Sequence, residues 1–442
     1  MIKYKLARYD DYKYSEFSWL DKIPNHWHME RVKTLTKTQS GTTPRSEVSE
    51  YYENGTYFWV RTTDLNNDRL YSSEYKITDI ALKHCGLKTI PINSILLAMY
   101  GGMGTIGKNS ILKETVTINQ SVCAVLPNDK LFNSLYFWYY VQYFRSHWEM
   151  FADSARKDPN INQEAIKKLW VIYPPIYEQK SIANYLDTKT AQIDRKIDLL
   201  TQKSTKYGKL KQSLINETVT RGLDKTVAMK DSGVEWIGKV PEHWGILPIR
   251  ALLENRVDKN VGNLESDYLS LVAGIGVIPY AEKGNVGNKK PDDLEKCKMV
   301  YPGDFVLNSM NFGIGSFGIS RYKGVCSSVY IVMRPRNIKS GEFLYRIFQI
   351  KPFQTFMSSF GKGIMEIRMA IKWNNLKNIH IPYPPMDEQK AIADYLDTKT
   401  THIDRIIKTI NIQISKLKEL RKSLINDVVT GKIKVYQEGE AI

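Results

Sequence analysis

A 48-residue segment occurs twice in this chain. Residues 173–220 and 383–430 align without a gap at an offset of 210, with 26 identical positions. The first copy opens Tyr173-Pro174-Pro175-Ile176-Tyr177-Glu178-Gln179-Lys180, and the second Tyr383-Pro384-Pro385-Met386-Asp387-Glu388-Gln389-Lys390. Both end near Ser-Leu-Ile-Asn, at 213–216 and 423–426. A weaker echo lies upstream of each copy at an offset of 217, where Trp19, Pro24, His26 and Trp27 answer Trp236, Pro241, His243 and Trp244. Self-similarity of this kind means one structural unit built twice. Any fold for the chain must therefore hold two related halves: an opening, about 150 variable residues, then the repeated segment.

The repeated segment reads as a long helix. In the second copy Ile403, Ile407, Ile410, Ile414, Leu417 and Leu424 follow 4-3 spacing, with Arg421 in one seam position. The first copy supplies Ile193, Ile197, Leu200, Tyr207, Leu210 and Leu214, less regularly. Such a stripe is the seam of a coiled coil, and two copies of it in one chain point to mutual pairing. The Pro-Pro step suits a helix start, with Glu178 and Glu388 near the positive end of the dipole. At ~1.5 Å per residue each helix spans roughly 65 Å.

The variable blocks read as β-rich. Short apolar runs at 57–60, 95–100 and 121–126, and at 268–272, 304–308 and 328–333, are bounded by Gly, Pro or Asn, as strands are. A Gly-x-x-Gly turn follows the central strand in each block (Gly104–Gly107, Gly315–Gly318), and a helix-like stretch comes next, at 131–151 and 341–360. The expected fold class is α+β: two β-rich domains alternate with two long helices that pair as an antiparallel coiled coil, under a pseudo-two-fold internal repeat. The corresponding segments are 1–172, a helical spacer 173–223, a connector 224–240, 241–382, a second spacer 383–434 and a tail 435–442.

Charge narrows the partner. The chain has 442 residues, with 63 Lys+Arg against 47 Asp+Glu, a formal net charge of +16. That excess suits a polyanion. Residues 241–383 carry 19 basic against 12 acidic side chains, and residues 24–173 carry 17 against 14, so the excess sits mainly on the second block. No apolar run approaches the ~18 residues of a membrane span. The first ten residues lack the apolar core of a signal peptide. We expect a cytoplasmic protein with no membrane partner. Cys85, Cys123, Cys297 and Cys326 form no CxxC pair and stand at no zinc-ligand spacing from histidine, so they are expected to be reduced, mostly buried thiols.

The chain carries no convincing catalytic motif. Tyr-Pro-Pro has the wrong flanks for the Pro-Pro-aromatic motif of adenine methyltransferases, which needs a small polar residue before and an aromatic after. Glu178-Gln179-Lys180 and Glu388-Gln389-Lys390 resemble a nuclease Glu-x-Lys but have no Pro-Asp partner upstream. Helix-end electrostatics accounts for them better. There is no Walker A loop, Gly-x-Ser-x-Gly elbow or His-Glu-x-x-His pair. His26 and His243 recur beside Trp27 and Trp244, which suggests packing rather than proton transfer.

Gly41-Thr42-Thr43-Pro44, Tyr57–Leu65, Gly101–Lys108 and Ile118-Asn119-Gln120, with the repeated Pro-Pro-x-x-Glu-Gln-x-x-Ile-Ala-x-Tyr-Leu-Asp, resemble the specificity subunits of type I restriction–modification enzymes. The resemblance covers essentially the whole chain. Block two departs from it, with Leu269–Gly274 where a Gly-Thr-Pro opening would stand. It implies a non-catalytic subunit whose two target recognition domains each read half of a split, asymmetric site on double-stranded DNA. The long helices then set the gap, dock two methyltransferase subunits, and are joined by restriction (motor–nuclease) subunits. It implies no cofactor in this chain: S-adenosylmethionine, ATP and Mg belong to those partners. The candidate DNA-binding residues are Arg45, Arg61, Thr62, Thr63, Asp64, Lys108, Asn119, Gln120, Arg156 and Lys157 in block one, and Asn308, Asn311, Arg321, Lys323, Ser327, Lys362 and Arg368 in block two. They cluster on loops, where recognition residues favour a rigid scaffold. The alternative is a coiled-coil scaffold or decoy that binds partner subunits without reading DNA.

Overall fold

The computed structural model describes residues 4–101, 104–151, 160–286, 288–310, 315–337, 340–359 and 371–437. It is a mixed helix-and-strand protein with two long helices, Ile176–Arg221 and Met386–Val429. The chain divides into two compact units, Met1–Leu200 with Ile412–Ile442, and Thr201–Asn411. The spacer segments are thus not bodies of their own. Each unit takes one block, the first part of one long helix and the last part of the other.

In the first unit a five-stranded sheet runs in the order Thr38–Ser40, Val122–Val125, Ile95–Ala98, Asn109–Leu112, Asp68–Leu70. Its central strands are buried on both faces, which is why they read as unbroken apolar runs. Side chains alternate between the faces with the strand period of two. Ile95, Leu97, Cys123 and Val125 face a core shared with the aromatic helix Ser134–Phe144. Leu96, Ala98, Val122 and Ala124 face a smaller core with Val60, Leu65 and Ile118. Into the larger core the first long helix inserts Ile182, Ala183 and Leu186, and the second inserts Ile425, Val428 and Val429. Strand Lys434–Gln437 pairs antiparallel with Tyr4–Ala7, so residues expected to form a tail continue the fold.

The second unit repeats this plan. Its sheet order is Leu253–Arg256, Tyr330–Pro335, Phe305–Asn308, Phe317–Ile319. Phe305, Leu307, Ile331 and Met333 face the helical side with Phe343, Ile347 and Phe353, where Ile215, Val219, Ile392 and Leu396 of the long helices join them. Val306 and Val332 face Leu269, Leu271 and Val277. The stretch expected as one helix over 341–360 is two, Gly341–Gln349 and Lys351–Ser358. Ile350 between them is extended and caps the second helix, whose first turn holds Pro352, where the missing N–H has no intrahelical acceptor to lose.

The strand before each long helix also recurs. Trp170–Tyr173 pairs with His28–Arg31, and His380–Tyr383 with Gly245–Pro248, in matching registers. Each long helix then starts directly after its Pro-Pro step. The Gln179 and Gln389 side-chain amides donate to the Pro174 and Pro384 carbonyls, both at 2.8 Å. All four cysteines are free, and burial pushes the Cys123 thiol up to about 12. Among the described residues no helix is long and apolar enough to cross a membrane, and no cluster of acids, histidines or cysteines could hold a metal ion.

Candidate nucleic-acid interface

In block one the fold draws distant segments to one end of the sheet. Gly41 follows strand Thr38–Ser40, and a Cβ there would stand 1.7 Å from the Ile118 carbonyl oxygen, so only glycine fits. The loop beyond it is held by its backbone. Thr42 N–H donates to the Ile118 carbonyl (3.2 Å), Trp59 Nε1 to the Thr42 carbonyl (3.2 Å) and the Tyr52 hydroxyl to the Pro44 carbonyl (2.7 Å). This anchored loop leaves Arg45 exposed. Strand Tyr57–Val60 runs parallel to Thr117–Ile118, and Asn119 N–H donates to the Val60 carbonyl, which sets Arg61 close to Asn119. Met99 N–H donates to the Ser121 carbonyl, and Ala98 N–H to the Lys108 carbonyl, so 108 and 119–121 flank one strand end.

Within that cluster the side chains have different freedom. Thr63 and Gln120 are exposed; Thr62 and Lys108 are half-buried. The Arg61 guanidinium lies 3.6 Å from the Tyr75 ring centroid and 3.6 Å from Glu74, an arrangement that stacks the cation without fully enclosing it. Asp64 is committed elsewhere: its carboxylate accepts from the Arg61 N–H (2.8 Å) and the Ser73 hydroxyl (3.0 Å). Asn119 closes a local turn, its carboxamide oxygen accepting the Ser121 N–H at 3.1 Å. Arg156 and Lys157 lie outside the described residues.

Among the described residues, block two divides its candidates between the two ends of the sheet. Asn308 is buried; its carboxamide oxygen accepts the Met310 N–H and its own N–H donates to Ser316, so it shapes the strand end rather than presenting a free edge. Ser327, half-buried, lies toward the same sheet end through its carbonyl, which accepts the Tyr330 N–H. Arg321 and Lys323 follow the opposite end, beyond Ile319, and Lys323 pairs with Glu265 at 3.3 Å. Asn311, Lys362 and Arg368 lie outside the described residues. The segment in the place of the Gly41–Pro44 loop is the one after strand Leu253–Arg256. There Val257, Val261 and Leu264 are 67%, 68% and 91% exposed, and none of these was singled out from sequence. The only signal was the turn-forming cluster Asn260–Asn263, which marks a loop without marking a contact.

At each long helix start a carboxylate is held by the block. Glu178 accepts from the Tyr9 hydroxyl (2.7 Å) and Trp27 Nε1 (3.0 Å), and lies 2.6 Å from His26 Nε2. Glu388 accepts from Trp244 Nε1 (3.0 Å) and lies 2.9 Å from His243 Nε2. Burial, then Glu178 itself, holds the Tyr9 phenol well above its ordinary range, so it stays a donor.

Along the helices the candidate seam residues differ in burial. Ile403 and Ile410 are buried. Ile193, Ile197, Leu200, Tyr207, Leu214, Ile407, Ile414, Leu417 and Leu424 are half-buried. Leu210 is 53% exposed and leaves the set. Lys211, one residue on, takes the inward place, because 4-3 spacing from Ile193 passes through Ser204, Tyr207 and Lys211. In the second unit Lys211 pairs with Asp404 at 2.6 Å, and in the first Arg421 pairs with Asp194 at 3.0 Å. At the repeat offset of 210 the two pairs are one another's equivalents.

The family model for the type I restriction modification DNA specificity domain matches residues 24–206 and 264–416. The chain belongs to that family and is a specificity subunit of a type I restriction–modification system. It is similar, at 25% identity over 446 residues covering 94% of each chain, to the type I restriction enzyme MjaVIII specificity subunit of Methanocaldococcus jannaschii. The EcoKI specificity subunit of Escherichia coli K12 is 20% identical over 452 residues, 95% of this chain and 92% of that one. Among solved structures, the HsdS subunit of Thermoanaerobacter tengcongensis matches with a TM-score of 0.50 at 15% identity, covering 92% of this chain and 98% of its own. A chain from a study of complex assembly and conformational transition of the type I R-M system matches with a TM-score of 0.67, over 92% of this chain and 99% of its own.

Proposed function

We propose that this chain is the DNA-reading, non-catalytic subunit of an adenine-N6 methyltransferase and ATP-dependent endonuclease complex in the cytoplasm. Each block reads one half of a split, asymmetric target on double-stranded DNA. The long helices pair as an antiparallel coiled coil related by a pseudo-two-fold repeat, set the gap, and dock two methyltransferase subunits, with restriction subunits joining for cleavage. S-adenosylmethionine, ATP and Mg act in those partners.

The observation that carries the reading is the contrast within the repeat. The two units share a sheet order and a Trp–Glu helix-end clamp, yet differ in the loops that follow the first sheet strand: the anchored Gly41–Pro44 run and Arg45 in one, the exposed Val257–Leu264 segment in the other. One scaffold with two loop sets suits two different half-sites at fixed separation. On block one Arg45, Arg61, Thr62, Thr63, Lys108 and Gln120 are the side chains best set to meet DNA.

The test is single-molecule methylation mapping of DNA from cells expressing this chain with its neighbouring methyltransferase. A split asymmetric motif with N6-methyladenine in each half, lost without this chain, is the expected result. With such a motif in hand, Arg61→Ala weakens cognate binding by ~1–3 kcal/mol and leaves scrambled DNA unaffected. A methylation pattern unchanged by deleting the chain would leave it as a scaffold or decoy.

A further inference from the structure

We propose that a cleft in the first unit, between the second long helix and the segment 142–147, binds a phosphate group; this rests on the reading of the chain as a DNA-binding subunit. The cleft encloses about 210 Å³. Its walls bring together Lys418, Arg421, Lys422, His147, Ser146 and the Gln142 carboxamide, and no carboxylate among the described residues lines it.

Two of the three basic side chains there are not spent on the protein itself. Lys418 and Lys422 are exposed, stand one turn apart on one helix face, and have no ion-pair partner among the described residues. Arg421 is turned aside by Asp194 and by Gln142 Oε1, which accepts from Nη1 at 3.2 Å. That bond orients the Gln142 amide and leaves its Nε2 buried with no acceptor. A buried donor without an acceptor is rare enough to need explaining, and the Gln142 side chain that carries it belongs to the wall of this cleft. The His147 imidazole agrees: burial, then Lys422, holds it below its ordinary pKa, as expected beside uncompensated positive charge. Donors on several sides, net positive charge and a small volume match a tetrahedral oxyanion with acceptor oxygens in every direction.

The second unit has a cleft at the corresponding helix position. The first long helix lines it with Thr205, Lys209 and Gln212, and the block with Gln349, Lys351 and Gln354, again without a carboxylate among the described residues. Gly208 and Gln212 stand where the repeat has Lys418 and Lys422, so this cleft takes its cations from Lys209 and Lys351 instead. The side chains differ, but cations, amide donors and the absence of acids persist. That is the pattern for a ligand that does not vary with sequence. Backbone phosphate positions a protein on DNA without specifying bases, and a free phosphate-bearing molecule shares its chemistry.

Lys418→Gln with Lys422→Gln tests this in the full chain complexed with its methyltransferase. Both side chains are exposed, so folding is expected to hold. Affinity for cognate and scrambled DNA should fall equally, about tenfold, and the slope of log K against log salt should fall in magnitude by about 2. Calorimetric titration of the full chain with inorganic phosphate should give saturable binding that the double variant lacks. Phosphate binding lost with an unchanged DNA slope keeps the site and assigns it to a free phosphate-bearing molecule. No saturable phosphate binding with an unchanged slope overturns the proposal. So does loss of the methyltransferase with an unchanged slope, which would give the cleft to an acidic protein segment. If the native complex binds both DNAs alike, the sequence-reading function fails, while a reduced slope in the variant still supports the cleft.

Discussion

Glu178 takes three hydrogen-bonding partners from residues about 150 positions or more before it in the chain, and it does so where the first long helix begins. A carboxylate at that helix end also meets the positive end of the dipole. Charge-assisted hydrogen bonds contribute ~1.5–3 kcal/mol each, so Glu178→Gln, which keeps the shape but loses the charge, should cost about 2–3 kcal/mol. Glu388, more exposed and with two partners, should lose less on Glu388→Gln. Urea unfolding followed by tryptophan fluorescence checks both, and equal losses would count against the clamp as described. Sequence spacing raised Glu178 and Glu388 as helix-end charges, and His26 and His243 as packing residues. That they meet was not legible, because a contact between residues this far apart leaves no local pattern. The same limit applies to Asp64 and Asn308, polar residues that the fold uses for its own turns.

For the helices, sequence periodicity located both elements closely, and their starts after Pro-Pro lie where the missing proline N–H is harmless. Periodicity was less reliable at a single step. The first-copy stripe includes the apolar Leu210, yet unbroken 4-3 spacing falls on Lys211, which is half-buried and whose ammonium reaches Asp404. Leu210→Asp should therefore change stability by no more than ~0.5 kcal/mol, and Ile410→Ala, at a buried position, should cost about 2–4 kcal/mol. Thermal unfolding of the two variants decides between the stripes; a large loss from Leu210→Asp would restore the simpler one. The strands were equally visible, since runs such as 95–98 and 122–125 are apolar on both faces. The small strands that complete each unit, such as Thr117–Ile118, were not, because two residues carry no period.

At the scale of the whole molecule the expected behaviour is modular. Replacing residues 241–382 with the corresponding block of a related specificity subunit should change one half of the methylated motif and leave the other half and the gap unaltered. Methylation mapping reads all three at once, and a change in both halves would show that the blocks do not read independently. The amino-acid sequence by itself determined the doubling, the long helices and the β-rich character of the blocks, because identity at a fixed offset and side-chain period survive in one dimension. Only the tertiary structure decided which loops share a sheet end, which carboxylate is clamped, and which basic residues remain unpaired. Those outcomes depend on strand order and on contacts across a hundred residues or more. Block two makes the difference plain: its Val257–Leu264 segment is marked by composition only as a loop and acquires its place because Leu253–Arg256 occupies the sheet position held in block one by Thr38–Ser40.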